Sequence, residues 1–320
     1  MRDIDAMKNL VDKLNKARYT YEQENFEIMS NKEYDALYDE LLNLEKTTGI
    51  VLSNSPTQNV GYEVVSGLKT KKHSEPMLSC DKTKSVDDLI DFCGNHECRI
   101  SLKLDGLTVV LVYENGILSE AITRGDGITG EIVTHNAKMF CNVPQQISFK
   151  GRLVMRGEAI ITYSDFEKIN SSLPAGTKTY ENPRNLVSAT VRSYDNSVAK
   201  KRHVRWICFK LVSAEGLDFD SFENSMDKQL DWISSLGFEQ VMSLSTNDYS
   251  VKDAVKIYDD KLKDKKSDIY DMPSDGLVVI YNDLKYGKSL GSTAKFPRDS
   301  IAFKWKDDVV DTVLRDIDWN

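Results

Sequence analysis

Long hydrophobic runs are missing from this chain of 320 residues. No apolar stretch approaches the roughly 20 residues that a membrane-spanning helix needs. Residues 1–16, MRDIDAMKNLVDKLNK, carry charges where a secretory signal peptide would have an apolar segment. A composition of 40% hydrophobic and 29% charged residues is typical of soluble globular proteins. We therefore expect a cytoplasmic protein that makes no contact with a membrane.

Cysteine is also scarce, with five residues scattered through the chain. An odd number of widely spaced cysteines predicts neither a disulfide framework nor a zinc module. Cys93, His96 and Cys98 lie close in sequence, but they fall short of the four ligands that a structural zinc site uses. The sequence therefore predicts no resident metal site.

The chain has no excess of positive charge, since 42 Lys and Arg residues face 50 Asp and Glu residues and the net charge is −8. Phosphate neutralisation dominates the affinity of proteins for DNA, so this balance argues against tight DNA binding by the chain alone. The basic stretch 200–205 can meet phosphates, or it can be a solvated face, as short basic runs commonly are.

The segment 99–130, RISLKLDGLTVVLVYENGILSEAITRGDGITG, organises the rest of the chain. Its apolar and polar residues alternate at first, which predicts a strand over 99–104. LTVVLVY is predicted to form a second strand, and Asn115-Gly116 a hairpin turn into a third. We expect these strands to form a meander over 99–123.

Lys103 is a candidate nucleophile within this segment. It alternates with Leu102 and Leu104, so its side chain projects from the opposite face of the first strand. Desolvation and nearby cations lower the pKa of an amine, and the free amine is the form that attacks. A lone K-x-D-G sequence is more commonly an exposed lysine on an ordinary sheet, so the neighbouring motifs must decide.

The series Gly125-x-Gly127-x-x-Gly130 has the spacing of a dinucleotide-binding fingerprint, but its context is wrong. It lies in a stretch rich in hairpin signals, no βαβ unit is visible, and Pro144 follows soon after. The sequence therefore predicts no Rossmann site here.

Helical periodicity appears in several places along the chain. It predicts two helices within 1–48, followed by a linker at 55–61, and amphipathic helices over 222–236 and 250–262. Ser164-x-x-Glu167 is predicted to form a capping box at the start of a further helix.

Three motifs occur in order, each at a strand end or turn. They are Lys103-Leu-Asp-Gly106, Thr123-Arg-Gly-Asp-Gly127 and Arg156-Gly-Glu158. This series resembles the nucleotidyltransferase core of the NAD-dependent DNA ligases of the bacterial type. The helical pair, with EYD at 33–35 and SPTQNVG at 55–61, is similar to the N-terminal module of the same family.

The resemblance implies an α+β fold with two domains. We expect a small helical NAD-docking domain over 1–60, followed by an adenylation domain over 61–311. The second domain would be an antiparallel-sheet nucleotidyltransferase domain, ATP-grasp-like as in other ligases. Residues 312–320 resemble the start of an oligonucleotide-binding barrel that is cut short.

The resemblance also assigns roles to residues of this chain. Lys103 would be the nucleophile, Asp105 would position it, and Lys304 would stabilise charge developing on the α-phosphate. On the nicotinamide side the expected residues are Tyr21, Asn31, Tyr34 and Asp35. In the rest of the nucleotide pocket they are Ser79, Cys80, Ser101, Arg124, Glu158, Arg184, Phe209 and Ile280, with Arg298 as an alternative to Arg184 for phosphate contact.

Three of these positions depart from the family pattern. Asn31 stands where the family usually has aspartate. Ser101 replaces the usual adenine-side glutamate, and Ile280 replaces a lysine that contacts the nucleotide. The paired changes at 101 and 280 predict a divergent paralogue with an altered adenine pocket, while Lys103 and Lys304 are retained.

The implied reaction is attack of the Lys103 amine on the adenylate phosphorus of NAD, which leaves AMP on the lysine and releases nicotinamide mononucleotide. Mg²⁺, held mostly by water, would complete charge neutralisation. A whole enzyme would then pass AMP to the 5′-phosphate of nicked double-stranded DNA. We interpret the chain as a fragment, with a minimal paralogue as the alternative, and expect a monomer that adenylates itself but seals nicks weakly.

Two other functions stay open at this point. An ATP-dependent covalent nucleotidyltransferase would share the lysine motif, but it has no use for residues 1–61. A catalytically impaired NAD-binding or regulatory paralogue is suggested by Ser101 and Ile280.

Overall fold

The computed structural model describes residues 2–23, 28–52, 55–57, 67–174, 176–265 and 267–305. The predicted start of a barrel at 312–320 and the part of the predicted linker at 58–61 lie outside these residues, as do the side chains of Tyr21 and Asn31. Within them the chain forms a helical hairpin followed by three sheets with packed helices.

The N-terminal part is the predicted pair of helices, α1 (Arg2–Gln23) and α2 (Asn31–Thr48). Their apolar stripes bury one another in a small core of Met7, Leu10, Val11, Leu14, Tyr38 and Leu41. The hydroxyl of Ser30 caps α2 by accepting the N–H of Glu33, and Gly49 ends it in the left-handed region at a φ of 68°.

The remaining described residues contain eight α-helices, a 3₁₀ helix (Asp220–Phe222) and eleven strands. The helices are α3 (Val86–Cys93), α4 (Thr134–Ala137), α5 (Tyr163–Ser171), α6 (Pro183–Val191), α7 (Asn196–Lys201), α8 (Met226–Ser235), α9 (Val251–Lys263) and α10 (Leu284–Ser289). The strands are β1 (Thr70–Lys72), β2 (Asp81–Thr83), β3 (Cys98–Leu104), β4 (Leu107–Glu114), β5 (Ile117–Thr123), β6 (Thr129–Glu131), β7 (Leu153–Ile160), β8 (Arg205–Ala214), β9 (Ser243–Ser245), β10 (Ser274–Tyr281) and β11 (Ser300–Phe303).

These strands form three sheets, with the orders β2-β11-β10-β3-β9, β5-β4-β7-β8 and β1-β6. Neighbouring strands run antiparallel except β11 and β2, which run parallel. The predicted α+β class with antiparallel sheets is therefore confirmed.

The predicted meander over 99–123 is wrong, because β3 and β4 belong to different sheets. The chain crosses between the sheets at Asp105-Gly106. Glycine is required there, since a Cβ on Gly106 would lie 2.1 Å from the carbonyl oxygen of Ala159. The β4–β5 hairpin forms as predicted, with positive φ values of 52° at Asn115 and 77° at Gly116.

Two predicted helix starts also need correction. Thr162, and not Ser164, caps α5 by accepting the N–H of Asp165. The N–H and hydroxyl of Ser164 both donate to Asp271 instead, at 2.7 and 2.9 Å. The helix predicted over 222–236 begins only at Met226, because Ser225 caps it.

Each of the two larger sheets has its own apolar core. Tyr113, Met155 and Trp206 are buried in the core of the four-stranded sheet. Ile100, Tyr258 and Val279 are buried in the core of the five-stranded sheet. Alternation along β3 therefore turns Ser101 and Lys103 to the face opposite Ile100.

This second face of the five-stranded sheet, which we call the site face, carries several predicted site residues. Directly opposed residues of antiparallel strands point to the same side. Ser101 opposes Val278 of β10, and Ile280 opposes Ser300 of β11. The pairing therefore brings residues from distant parts of the chain beside Lys103.

Candidate functional site

Lys103 lies near the end of β3, opposite Gly276 of β10. Its Nζ is 2.7 Å from a carboxylate oxygen of Asp275, and its side chain is 29% exposed. Burial raises the pKa of the Asp275 carboxyl, but the charges of Lys103 and Lys304 outweigh this effect and hold that pKa below its usual range. The candidate nucleophile is thus held beside an anionic carboxylate.

Asp105, the residue expected to position Lys103, pairs with a different side chain. Asp105 pairs with Arg184 of α6, with 2.6 Å between Oδ1 and Nη1, because the chain turns away at Asp105-Gly106. Asp275 takes the expected place, and sequence reasoning missed it. The available signal was that Asp275-Gly276 opens a buried strand, just as Asp105-Gly106 follows one.

Lys304 directly follows β11, and its side chain contacts residues of α2 and β10. Its Nζ is 2.7 Å from Asp35 Oδ2 on α2 and 3.5 Å from Asp275 Oδ2. The other oxygen of Asp35 accepts a hydrogen bond from Lys82 of β2 at 2.8 Å. Burial raises the pKa of Asp35, but the hydrogen bonds from Lys304 and Lys82 outweigh it and lower that pKa. Ion pairs therefore link Asp35 through Lys304 to Asp275, the partner of Lys103.

Glu158, on β7, is a buried carboxyl group close to Lys103. Its oxygens accept the Thr108 hydroxyl at 2.8 Å and the Gly106 N–H at 3.2 Å. Burial raises the pKa of Glu158 to about 7, although Thr108, Arg184 and Lys103 act in the opposite direction. A carboxyl group that titrates near neutrality beside a candidate nucleophile is typical of a functional site.

Ser79 and Cys80 each contact another residue of the site. Arg124, which follows β5, donates from Nη2 to the Ser79 hydroxyl at 3.0 Å. The Cys80 sulfur is 3.7 Å from the Ser300 hydroxyl on the site face. The G-x-G stretch that follows Arg124 forms the turn between β5 and β6 and opens no helix.

Four further residues predicted for the site are buried or half-buried. Ser101 is buried, and its hydroxyl is 3.5 Å from the carbonyl oxygen of Val278. Ile280 is half-buried between Arg99 and Ser300. Phe209 of β8 is half-buried against the core of the five-stranded sheet. Tyr34 stacks on Tyr38 at a ring-centroid distance of 6.2 Å.

Two family models match this chain. Residues 65–308 match the NAD-dependent DNA ligase adenylation domain, and residues 2–61 match the DNA ligase-like, N-terminal NAD⁺-binding domain. The chain belongs to the NAD-dependent DNA ligase family. The predicted family is therefore confirmed.

Curated relatives called DNA ligase cover nearly the whole chain. The protein of Ruminiclostridium cellulolyticum is 48% identical over 317 residues, which are 99% of this chain and 47% of the relative. The protein of Lachnoclostridium phytofermentans is 47% identical over 311 residues, which are 97% of this chain and 46% of the relative. This ligase-family chain thus spans about half the length of the curated relatives it matches.

We searched the described part of this ligase-family chain for metal-ligating clusters and for membrane-spanning helices. There, no three His, Cys, Asp or Glu side chains are grouped so that they could hold a metal ion. His96 stacks on Tyr286, with 3.8 Å between ring centroids, and Cys93 and Cys98 are buried. No described helix has the length and apolar character needed to cross a membrane.

Proposed function

We propose that this chain carries out the first step of DNA ligation, the transfer of AMP from NAD⁺ to Lys103. The Lys103 Nζ attacks the adenylate phosphorus and forms a P–N bond. The bond to the phosphate oxygen of nicotinamide mononucleotide breaks, and that group leaves with the electron pair. Protons from the lysine pass to Asp275, whose carboxylate is 2.7 Å away, and on to solvent.

The convergence of Lys103, Lys304 and Asp275 within the matched adenylation domain supports this proposal most directly. Lys304 and Arg184 would offset negative charge on the phosphates during transfer. Asp35 and Tyr34 would face the nicotinamide ring, because a pyridinium is a flat cation suited to a carboxylate and an aromatic face. Around the adenosine we place Ser79, Cys80, Ser101, Arg124, Glu158, Phe209 and Ile280.

Glu158 is the carboxylate best suited to a Mg²⁺ ion near the phosphates. Mg²⁺ needs only one or two carboxylates when substrate phosphates and water fill its other positions. Glu158 fits, because its hydrogen bonds in the described part of the chain come from two neutral donors, Thr108 and Gly106. When bound there, Mg²⁺ would neutralise phosphate charge.

The later steps involve the whole protein. We infer that AMP passes from Lys103 to the 5′-phosphate at a nick in double-stranded DNA, since the relatives are called DNA ligase. A net charge of −8 predicts weak DNA binding and weak nick sealing by these 320 residues at physiological salt. We also propose that the chain acts in the cytoplasm as a monomer.

Transfer of radiolabel to the protein tests the choice of nucleotide. The chain is incubated with Mg²⁺ and either NAD⁺ labelled in its adenylate phosphate or ATP labelled in the α-phosphate. We expect protein-bound label from NAD⁺ and none from ATP. Label from ATP alone would contradict the proposal and favour an ATP-dependent nucleotidyltransferase. Binding of NAD⁺ without any label on the protein would favour an impaired regulatory module.

A further inference from the structure

Lys210 and Asp299 form an ion pair at the edge of the site face. Lys210 Nζ is 3.5 Å from Asp299 Oδ2, and the two side chains are 38% and 22% exposed. The other oxygen of Asp299 accepts the Ser300 hydroxyl at 3.0 Å. Ser300 lies opposite Ile280 and beside Cys80. The pair therefore adjoins Ile280 and Cys80, two of the residues proposed to lie around the adenosine.

A β-bulge in β8 brings Lys210 to this position. Arg156 of β7 opposes Lys210, and Gly157 opposes Cys208, so that Phe209 is the extra residue. Consecutive residues of a regular strand point to opposite faces, and a bulge changes that alternation. Phe209 can therefore pack against the core of the five-stranded sheet while Lys210, its neighbour, also reaches that sheet at Asp299.

The pair also adjoins Cys80, one of the residues proposed to lie around the adenosine. The Cys80 sulfur is 3.7 Å from the hydroxyl of Ser300, and that hydroxyl donates to Asp299. A partly exposed ion pair contributes only about 0–1 kcal/mol to stability, so that little is lost when a ligand separates the two partners.

Resting on the proposed function, we propose that Lys210 and Asp299 read the Watson–Crick edge of the adenine. This edge presents an acceptor, N1, next to a donor, the exocyclic amino group on C6. A lysine can only donate and an ionised aspartate can only accept, so Lys210 would bind N1 and Asp299 would bind the amino group. The side chain of Ile280, on the neighbouring strand, offers neither a donor nor an acceptor, and this pair supplies both.

Deamino-NAD⁺ tests the assignment, because its hypoxanthine carries a donor at N1 and an acceptor at O6. The single-turnover rate of adduct formation on the full chain is measured with NAD⁺ and with deamino-NAD⁺. We expect the wild-type chain to prefer NAD⁺. Lys210→Met and Asp299→Asn should each reduce the ratio of the two rates about tenfold, the effect of one lost hydrogen bond to a charged group. Thermal unfolding checks that both variants are folded.

Lys71→Met is the matched control, because it breaks another strand-borne ion pair, Lys71–Glu120. This variant should keep the wild-type ratio. Unchanged ratios in both test variants, with adduct still forming, would overturn base reading and leave AMP transfer intact. If the wild-type chain forms no adduct, the proposed function fails instead, and calorimetry with AMP and IMP decides the inference. A preference for AMP that Lys210→Met abolishes would support it, and equal affinities would overturn it.

Discussion

Lys304 and Asp35 form an ion pair, with 2.7 Å between Nζ and Oδ2, that joins the N-terminal hairpin to the adenylation domain. The same lysine also approaches Asp275, the partner of Lys103. One chain of contacts therefore runs from the residue proposed for nicotinamide binding to the proposed nucleophile. From this connection we expect the hairpin to take part in the proposed reaction as well as in NAD⁺ binding.

Replacing Asp35 should impair the reaction with NAD⁺. We expect Asp35→Ala to lower kcat/KM for adduct formation by about 10- to 100-fold, because hydrogen bonds between charged groups contribute about 1.5–3 kcal/mol each. Steady-state or single-turnover kinetics over a range of NAD⁺ concentrations provides the measurement. Asp39→Ala, an exposed change on the same helix, is the control and should stay close to wild type. Similar losses in both variants would show that Asp35 has no specific part in the reaction.

Asp275 and Asp105 should differ in their effect on the chemical step. Asp275→Asn removes the carboxylate that accepts a proton from Lys103, so the single-turnover rate at saturating NAD⁺ should fall by about 10²-fold. Asp105→Asn disturbs only the contact with Arg184, and we expect a loss of about tenfold or less. A larger loss in Asp105→Asn than in Asp275→Asn would identify Asp105 as the positioning residue and would contradict the proposed role of Asp275.

Glu158 should make stability depend on pH. Its pKa rises from 4.5 to about 7 on folding, so between these values the folded chain holds a proton that the unfolded chain has lost. The free energy of unfolding therefore falls as pH rises from about 4.5 to 7. Relative to Glu158→Gln, the wild type should lose about 1–3 kcal/mol over that range, at about 1.4 kcal/mol per unit of pKa shift.

Urea unfolding at pH 5 and pH 7.5 measures this difference between the wild type and Glu158→Gln. Glu167→Gln, which changes an exposed glutamate, should follow the wild-type pH dependence. A wild-type chain that stays parallel to Glu158→Gln across the range would show that Glu158 is ionised normally in the folded state.

The sequence predicts features that depend on local chemistry. The helical hairpin follows from its apolar stripes, and the β4–β5 turn follows from Asn115-Gly116, whose positive φ values such residues adopt readily. The motif around Lys103 is similarly local, and the family resemblance it suggests is confirmed.

Features that depend on long-range pairing could not be predicted in this way. Asp275 lies 172 residues from Lys103 in sequence, and only the register of β3 against β10 brings the two together. The separation of β3 from β4 likewise depends on which strands pair, and not on the Asp105-Gly106 turn alone. The contact that keeps Ser164 from capping α5 is with Asp271, which lies 107 residues away in sequence.

Intact-protein mass spectrometry after incubation with NAD⁺ and Mg²⁺ tests the central claim most directly. The wild-type chain should gain the mass of one AMP group, and peptide mapping should find it on Lys103. Lys103→Ala should gain nothing, whereas the control Lys168→Ala, at a largely exposed lysine, should react like the wild type. An AMP adduct of undiminished yield on the Lys103→Ala chain would contradict the account.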